Sequence, residues 1–306
     1  MNIVPTAKRI FLFLMVNILV MITVTLVLAL LRVGNYFPAG GLAGLAVFSL
    51  VWGFAGALIS LALSRLMAKW FMGVRVVPVD TTDPALKNLV ETVHELARQA
   101  GLPKLPEVGI YESDEVNAFA TGPSKSRALV AVSTGLLGRM GPEQLSGVLG
   151  HEITHISNGD MVTMTLLQGV INAIVLFLAQ VLAFVVSQAM RARDERDRGG
   201  GWMQFLLFQV FQVVFSIFGL IVVNWFSRQR EFRADAGGAR LAGRQTMIEA
   251  LRALGRLNDP EIAVAEAQHA QSFQSLKISG PHGGMMALFA SHPPIEERIA
   301  RLEQGV

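Results

Sequence analysis

The residues best suited to chemistry stand in one short segment, HEITH, at positions 151–155. On a helix that turns about 100° per residue, His151 and His155 lie about 40° apart, so both imidazoles can reach one ion. Glu152 borders the same face but is displaced from the pair. Two neutral imidazole nitrogens can bind Zn²⁺, and a displaced carboxylate can take a proton from the attacking water. The spacing therefore predicts metal-assisted hydrolysis with Glu152 as the base.

The residues around this motif predict the helix that must hold it. Pro142 stands at the first turn, and Glu143 follows at the positive end of the helix dipole. Four apolar residues occupy the arc beside the histidines and can pack into a core: Leu145, Val148, Leu149 and Ile156. The alternative is an exposed helix whose polar residues are only i, i+4 neighbours, and a third ligand elsewhere in the chain would argue against it.

A candidate third ligand stands in the segment REFRAD, far along the chain. Glu231 can complete a site of two histidines and one glutamate. Asp235, one helical turn later, can accept a hydrogen bond from a ligand imidazole and fix its tautomer. Because the chain has no cysteine, any metal must be held by His, Asp or Glu side chains. Asp160 either supports a ligand in the same way or only belongs to the turn at the end of the helix.

The composition places these residues in a membrane protein. Hydrophobic residues make up 52% of the chain, charged residues make up 16%, and the mean hydropathy of +0.47 is too high for an ordinary soluble protein. Four apolar segments exceed the roughly 20 helical residues needed to cross a bilayer. They are 10–31, 40–63, 161–186 and 203–226. The basic residues flank apolar runs, where they fix the orientation of the spans in the membrane. The net charge of +3 is small, and no nucleic-acid binding is predicted.

The order of the segments predicts one folded domain made from two separate parts of the chain. Residues 1–64 form a transmembrane hairpin, 65–160 the first part of the domain, 161–226 a second hairpin, and 227–306 the second part. Asp83 caps an amphipathic helix of the first part, and the segments 107–113 and 128–137 have the composition of strands. The predicted fold class is an α+β membrane protein: four transmembrane helices and a mainly helical domain with a small β-sheet.

The two parts of the domain must lie on one side of the membrane if the third ligand is to reach the histidines. His155 precedes the third segment and Glu231 follows the fourth, and two crossings between them satisfy this condition. Basic residues before the first apolar segment and after the second predict that the N-terminus and the domain after the second segment both lie in the cytoplasm. The loop QAMRARDERDRGGG conflicts with this, since its four arginines would lie outside. The third and fourth segments could instead form a re-entrant pair, which leaves the ligand geometry unchanged.

Several longer segments carry a family resemblance. HEITH, SNGDMVTMTLLQG, REFRADAGGARL, SHPPIEERI and NAFATG closely resemble the HtpX family of bacterial membrane-bound zinc metalloproteases, relatives of the CAAX prenyl endopeptidases. The resemblance covers nearly the whole chain. It implies a gluzincin-type, zincin-like domain facing the cytoplasm from the bacterial inner membrane. One Zn²⁺ per chain would be held by His151, His155 and Glu231, with catalysis by Glu152.

The resemblance also implies a cellular role, which the residues alone do not predict. Members of this family take part in membrane protein quality control and the stress response. The expected substrates are polypeptides, above all misfolded or damaged membrane proteins, and the expected environment is the lipid bilayer.

The resemblance gives weight to a segment near the end of the chain, SHPPIEERI. The developing oxyanion of a hydrolysed peptide needs a donor besides the metal. His292 and Arg298 are the candidates for this catalytic role. The alternative is that His292, with the two prolines after it, only caps a final helix over 296–302.

The resemblance also points to a substrate-binding strand in the segment NAFATG. In the related proteases this segment forms an edge strand beside the cleft, where an extended substrate adds by backbone pairing. The residues concerned are Asn117, Ala118, Phe119 and Ala120. The alternative is an ordinary edge strand followed by a turn.

Two other classes of protein compete with a zinc endopeptidase. A site-2-type intramembrane protease would carry its HExxH motif inside a span and take an aspartate from another span, whereas here the motif precedes a span and the partner is Glu231. A non-catalytic membrane scaffold or transporter would not need an intact Glu152. The predicted spans also contain no charged residue that would indicate an ion path.

Overall fold

A computed structural model describes residues 42–191, 200–257 and 292–305. Within these ranges the helices are α1 Leu42–Phe71, α2 Pro84–Gln99, α3 Thr134–Arg139, α4 Pro142–Asn158, α5 Asp160–Arg191, α6 Gly200–Ala242, α7 Arg244–Leu257 and α8 Ile295–Gln304. The strands are β1 Arg75–Val76, β2 Glu107–Tyr111, β3 Ala118–Thr121 and β4 Leu129–Ser133. The predicted first span, 10–31, lies outside the described residues.

The chain divides into two compact units. One consists of Leu61–Thr163 with the described part of Phe226–Val306, and it contains the sheet and the HEITH helix. The other consists of the described parts of Ala7–Ser60 and Met164–Trp225. The prediction of a mainly helical unit with a small sheet is confirmed for the first of them.

The sheet of the first unit has the strand order β1-β2-β4-β3. The parallel pair β2 and β4 forms its centre, with Glu107 opposite Leu129. Strand β3 runs antiparallel to β4, with Ala118 opposite Val132. Among the described strands β3 therefore lies at an edge, and it pairs on one side only.

Helix α2 follows the sequence prediction closely. The side chain of Asp83 accepts hydrogen bonds from the backbone N–H groups of Ala85 and Leu86, which caps the first turn. The apolar face packs into the main core with one face of the sheet and with α4. Its buried residues are Leu89, Val90, Val93, Leu96 and Ala97.

One predicted strand is too long at its end. The segment 128–137 is extended only as far as Ser133, and α3 begins at the next residue. The Ser133 hydroxyl accepts a hydrogen bond from the N–H of Leu136, so this serine acts as an N-cap at the point where the strand ends. The β-branched and apolar residues of 128–137 predict a strand, and the N-capping role of Ser133 ends that strand four residues earlier than predicted.

Among the described residues, three helices are long and apolar enough to cross a membrane. They are Gly44–Phe71, Asp160–Met190 and Trp202–Ala242, and they overlap the second, third and fourth predicted spans, 40–63, 161–186 and 203–226. Small residues let helices of the second unit approach each other: a Cβ on Gly53 would lie 2.7 Å from the Cα of Ala173, and one on Gly219 would lie 2.6 Å from Ile171 Cγ2.

Helix α6 is much longer than the predicted fourth span, 203–226. It continues without a break through the segment REFRAD to Ala242, and Gly243, with φ of +103°, follows its last residue. The same helix therefore supplies both an apolar segment and the polar residues of the candidate site.

Candidate metal centre

Helix α4 presents the HEITH motif to the interior of the first unit. It begins at Pro142 and ends at Asn158, and the next residue, Gly159, has a φ of +75° that suits glycine after a helix C-terminus. Its apolar residues Leu149 and Ile153 are fully buried. The backbone is thereby fixed, and the rings of His151 and His155 meet with their Nε2 atoms 3.1 Å apart.

Helix α6 brings the third predicted ligand to this pair because two glycines allow a close approach. A Cβ on Gly237 would lie 2.2 Å from Thr154 Cγ2, and a Cβ on Gly238 would lie 3.0 Å from the backbone nitrogen of His151. Gly237 has no room for a side chain, and a side chain at Gly238 would require its neighbours to move by a few tenths of an ångström. The contact places Glu231, only 1% exposed, against both imidazoles.

The resulting cluster has the dimensions of a metal site. Ligand atoms of His151, His155 and Glu231 all lie within 4.8 Å of one another. The Glu231 oxygens lie 3.4 Å from His155 Nε2 and 3.5 Å from His151 Nε2. Tetrahedral zinc with bonds of about 2.0–2.1 Å separates its ligand atoms by about 3.4 Å. Two imidazoles and one carboxylate are also a donor set that zinc takes, so the residues present fit the ion.

The far side of each imidazole is held by a carboxylate. Nδ1 of His151 donates to Oδ1 of Asp235 at 2.9 Å, and Nδ1 of His155 donates to Oδ2 of Asp160 at 2.6 Å. A neutral ring that donates through Nδ1 carries its lone pair on Nε2. Both lone pairs then face each other at 3.1 Å, an arrangement that either a proton on one ring or a metal ion between the two rings stabilises.

The buried charged groups of the cluster also favour a cation, because their net charge is negative. Asp160, Glu231, Asp235 and Arg298 are all buried with the histidines. Three carboxylates and one guanidinium leave a net charge of −2 when the imidazoles are neutral. Burial opposes protonation of His151, but the carboxylates of Asp235 and Glu231 outweigh burial and raise its pKa to about 9. Asp160 and Glu231 likewise raise the pKa of His155 despite its burial.

The C-terminal motif reaches the cluster from α8 and the residues before it. Nδ1 of His292 donates to Oε2 of Glu231 at 2.9 Å, while the His292 side chain remains 62% exposed. The guanidinium of Arg298 donates from Nε and Nη2 to the two oxygens of Asp235. Both residues therefore lie beside the predicted ligands. Their predicted donation to an oxyanion stays a prediction.

The other predicted site residues lie on neighbouring elements of the same unit. Glu152 follows His151 on α4 and is half-buried. Asn117 is exposed, and Ala118, Phe119 and Ala120 are half-buried at the edge of the sheet. Ala118 and Ala120 pack against the core cluster that contains α4. The predicted substrate strand thus borders the helix that carries the candidate base.

Two cationic contacts of the cluster were not predicted from the sequence. Arg230 Nη2 donates to Oε1 of Glu231 at 3.1 Å, and the sequence offers no signal for it beyond adjacency. The contact between Arg298 and Asp235, in contrast, has a signal in the sequence. Arg298 interrupts the apolar spacing of Ile295, Ile299 and Leu302, so it occupies a position where a helix face is normally buried and apolar.

Comparisons with known proteins identify relatives of this chain. Residues 85–306 match the sequence profile of peptidase family M48. The chain is 48% identical over 299 residues to a protein named "Protease HtpX homolog" from Methylacidiphilum infernorum, covering 97% of this chain and 98% of that one. It is 50% identical over 311 residues to the protein of the same name from Bacillus subtilis, covering 97% and 99%.

A solved structure shares the fold. The crystal structure of S. mikatae Ste24p superposes with a TM-score of 0.64 at 18% sequence identity, covering 97% of this chain and 67% of that one. The profile match, the long near-full-length relatives and the apolar helices agree with one another. The chain therefore belongs to peptidase family M48, a zinc-dependent family, and is a membrane-bound metalloprotease that acts on polypeptides.

Proposed function

We propose that this protease is a zinc endopeptidase of the bacterial inner membrane that hydrolyses misfolded or damaged membrane proteins at the cytoplasmic face. One zinc ion per chain is held by His151, His155 and Glu231. The observation that carries this assignment is the buried position of all three residues, with ligand atoms within 4.8 Å of one another. Zinc in such a site supplies a Lewis acid that polarises the scissile carbonyl and makes water a stronger nucleophile.

Glu152 acts as the general base and then as the general acid. It stands next to His151 on α4, and the donor set already holds a carboxylate in Glu231, so Glu152 is free to take the proton of the attacking water. The same carboxyl group then gives the proton to the leaving amine as the peptide C–N bond breaks. A carboxylate in this position commonly contributes about 10²- to 10⁴-fold to the rate.

The neighbouring carboxylates keep the two imidazoles ready to bind. Asp235 and Asp160 accept the Nδ1 protons of His151 and His155, which leaves each Nε2 lone pair for the ion. Of the two candidates for an oxyanion donor, we assign the role to His292. Its Nδ1 donates to Glu231, and the imidazolium form of its exposed ring, which carries a proton on both nitrogens, can also donate to a substrate oxygen from Nε2.

An extended substrate would bind along the edge strand. Among the described strands, β3, which contains Ala118–Ala120, pairs with β4 on one side only and packs beside α4. Asn117 immediately precedes β3 and is bonded through its backbone to Ser133. Backbone pairing recognises any extended chain, so selectivity for side chains would be loose. An unfolded segment of a membrane protein meets this requirement, whereas a folded domain does not.

The proposed topology has four crossings. Residues 1–64 and 161–226 form the two hairpins, and 65–160 with 227–306 form the protease domain on the cytoplasmic side. Three of the crossings are supported by helices of sufficient length and hydropathy. The basic residues beside the first two spans support the orientation.

The test of this function is the Glu152→Gln variant, purified in detergent and assayed with an unfolded membrane protein. We expect wild-type zinc content and a loss of cleavage of at least about 10²-fold, because only the proton-transfer group is removed. Glu143→Gln changes an exposed glutamate of the same helix and should cleave at the wild-type rate. Cleavage by a zinc-loaded Glu152→Gln variant at the wild-type rate would show that the base is another residue.

The cellular role is tested separately. In cells that produce the Glu152→Gln variant as their sole copy, a misfolded membrane reporter should persist, whereas the wild-type protein should clear it. If both cells clear the reporter at the same rate, the protease serves another purpose.

A further inference from the structure

Arg298 occupies an unusual position on the C-terminal helix. Residues Ile295, Ile299 and Leu302 of α8 pack with Met247, Ile248 and Leu251 of α7 in a small apolar cluster. Arg298 shares their face, and only 8% of it is exposed. A buried guanidinium is unfavourable unless its charge and its donors are matched by a partner.

That partner is the carboxylate behind the metal-binding histidine. Nε of Arg298 donates to Oδ2 of Asp235 at 2.7 Å, and Nη2 donates to Oδ1 at 2.6 Å. Oδ1 also accepts the Nδ1 proton of His151 at 2.9 Å. This two-point contact fixes the plane of the carboxylate, because a guanidinium matches both oxygens at once. The carboxylate in turn fixes the ring of His151.

We propose that Arg298 is a positioning residue that makes docking of the C-terminal helix a condition for tight zinc binding. This role rests on the ligand set of the proposed function and differs from direct donation to an oxyanion. Without the guanidinium, Asp235 is a buried carboxylate that has lost its cationic partner. It can then turn away, and His151 is no longer held with Nε2 toward the site.

The coupling acts in both directions, as thermodynamic linkage requires. If a docked α8 strengthens zinc binding, bound zinc must favour the docked α8 by the same factor. Other contacts of α8 do not involve the proposed ligands: Arg252 pairs with Glu303, and the Arg301 guanidinium stacks 3.7 Å from the ring centre of Phe232. Among the described residues of α8, Arg298 is thus the one that links the helix to the metal site: it is bonded to Asp235, and its Nη2 also lies 3.4 Å from Nδ1 of His151 and 3.9 Å from Oε2 of Glu231.

Arg301 provides a matched control. It is an arginine of the same helix, three residues later, with 41% of its side chain exposed and an ion pair to Glu297. The Arg298→Met and Arg301→Met variants lose the same charge and gain the same side chain. Only the first removes the contact with Asp235.

The experiment is a zinc titration of the full chain in detergent, against a competing chelator, in a Glu152→Gln background that prevents self-cleavage. We expect Arg298→Met to weaken zinc binding about 10- to 100-fold, the usual effect of losing an outer partner of a ligand. Arg301→Met should stay within about twofold of the parent. Arg298→Lys, which keeps the charge but cannot bridge both oxygens, should fall between the two.

A double-mutant cycle separates positioning from general destabilisation. In an Asp235→Asn background, Arg298→Met should cause almost no further loss of zinc affinity, because the residue acts through Asp235. Equal losses in both backgrounds would contradict the proposal. So would a folded Arg298→Met variant that binds zinc as tightly as the parent.

Hydrogen exchange tests the reverse direction without any substitution in α8. Zinc should slow exchange of the amides of 295–304 in the parent protein, and equal exchange with and without zinc would contradict the coupling. His151→Ala distinguishes the two proposals. If it binds zinc as the parent does, the ligand set is wrong. If it loses zinc while Arg298→Met does not, only the positioning role is wrong.

Discussion

Gly237 lies where α6 crosses α4, and replacing it with alanine should push the two ligand-bearing helices apart. An added Cβ would lie 2.2 Å from Thr154 Cγ2 and 2.6 Å from Thr154 Oγ1. Carbon atoms in contact are separated by about 3.5–4.0 Å, so the helices must separate locally by more than about 1 Å. A metal site tolerates displacements of only about 0.2 Å in its ligand distances. The substitution should therefore weaken zinc binding as well as the fold.

The cost in stability follows from the same overlap. Overpacking of a tight interior contact costs about 1–3 kcal/mol. For a domain of this size, that corresponds to a fall in the thermal midpoint of about 2–12 °C. Thermal unfolding of the metal-free protein in detergent measures the fold, and zinc content after dialysis measures the site. We expect both to fall in Gly237→Ala.

Two further variants test whether the overlap is the cause. Gly138→Ala adds the same methyl group in a helix where no heavy atom lies within 4 Å of it, and it should leave both measurements unchanged or raise stability slightly. Thr154→Ala removes the two closest atoms and should restore part of the loss when combined with Gly237→Ala. If Gly237→Ala matches the wild type in midpoint and zinc content, the close helix crossing is not what positions the ligands.

Three other predictions follow from the site and the topology. Because the pKa of His151 is raised to about 9, its imidazole is protonated at pH 7 without metal, and zinc must displace that proton. Zinc affinity should therefore rise with pH toward 9. Calorimetry at pH 7 in buffers of different ionisation enthalpy should detect at least about one proton released per zinc, since the pKa of His155 is raised as well; equal heats in all buffers would contradict this. Asp160→Asn should weaken zinc binding about 10- to 100-fold in a chelator competition, whereas the exposed Asp80→Asn should not, and equal affinities would mean that Asp160 serves only the helix end. In this cysteine-free chain, Lys87→Cys should react with an impermeant maleimide in inverted membrane vesicles and not in intact spheroplasts, and the opposite pattern would reverse the topology.

Local periodicity made the histidine pair predictable, whereas the groups behind the ligands depend on distant contacts. His151 and His155 are one turn apart on a helix, and the helical repeat alone determines that they share a face. The cap at Asp83 was equally local, since its side chain bonds the backbone only two and three residues later. The contact between Arg298 and Asp235 joins residues 63 apart in sequence, and no local rule specifies it.

The length of α6 shows a different limit of the sequence. Hydropathy predicts where an apolar segment ends, which is residue 226 for the fourth span, but it does not predict where the helix ends. The helix itself continues to Ala242, because the polar residues after Phe226 are good helix formers and the first residue with a positive φ is Gly243. The continuation explains how a residue beyond the span reaches the histidines. Glycines 237 and 238 of the same helix then provide the close contact.

Anomalous diffraction at the zinc edge, from crystals of the zinc-loaded Glu152→Gln protein, tests the proposed centre most directly. We predict one peak per chain, about 2.0–2.2 Å from Nε2 of His151, Nε2 of His155 and a carboxylate oxygen of Glu231. A peak bound by other residues, or a zinc-loaded crystal in which Glu231 lies far from the ion, would contradict the proposed site.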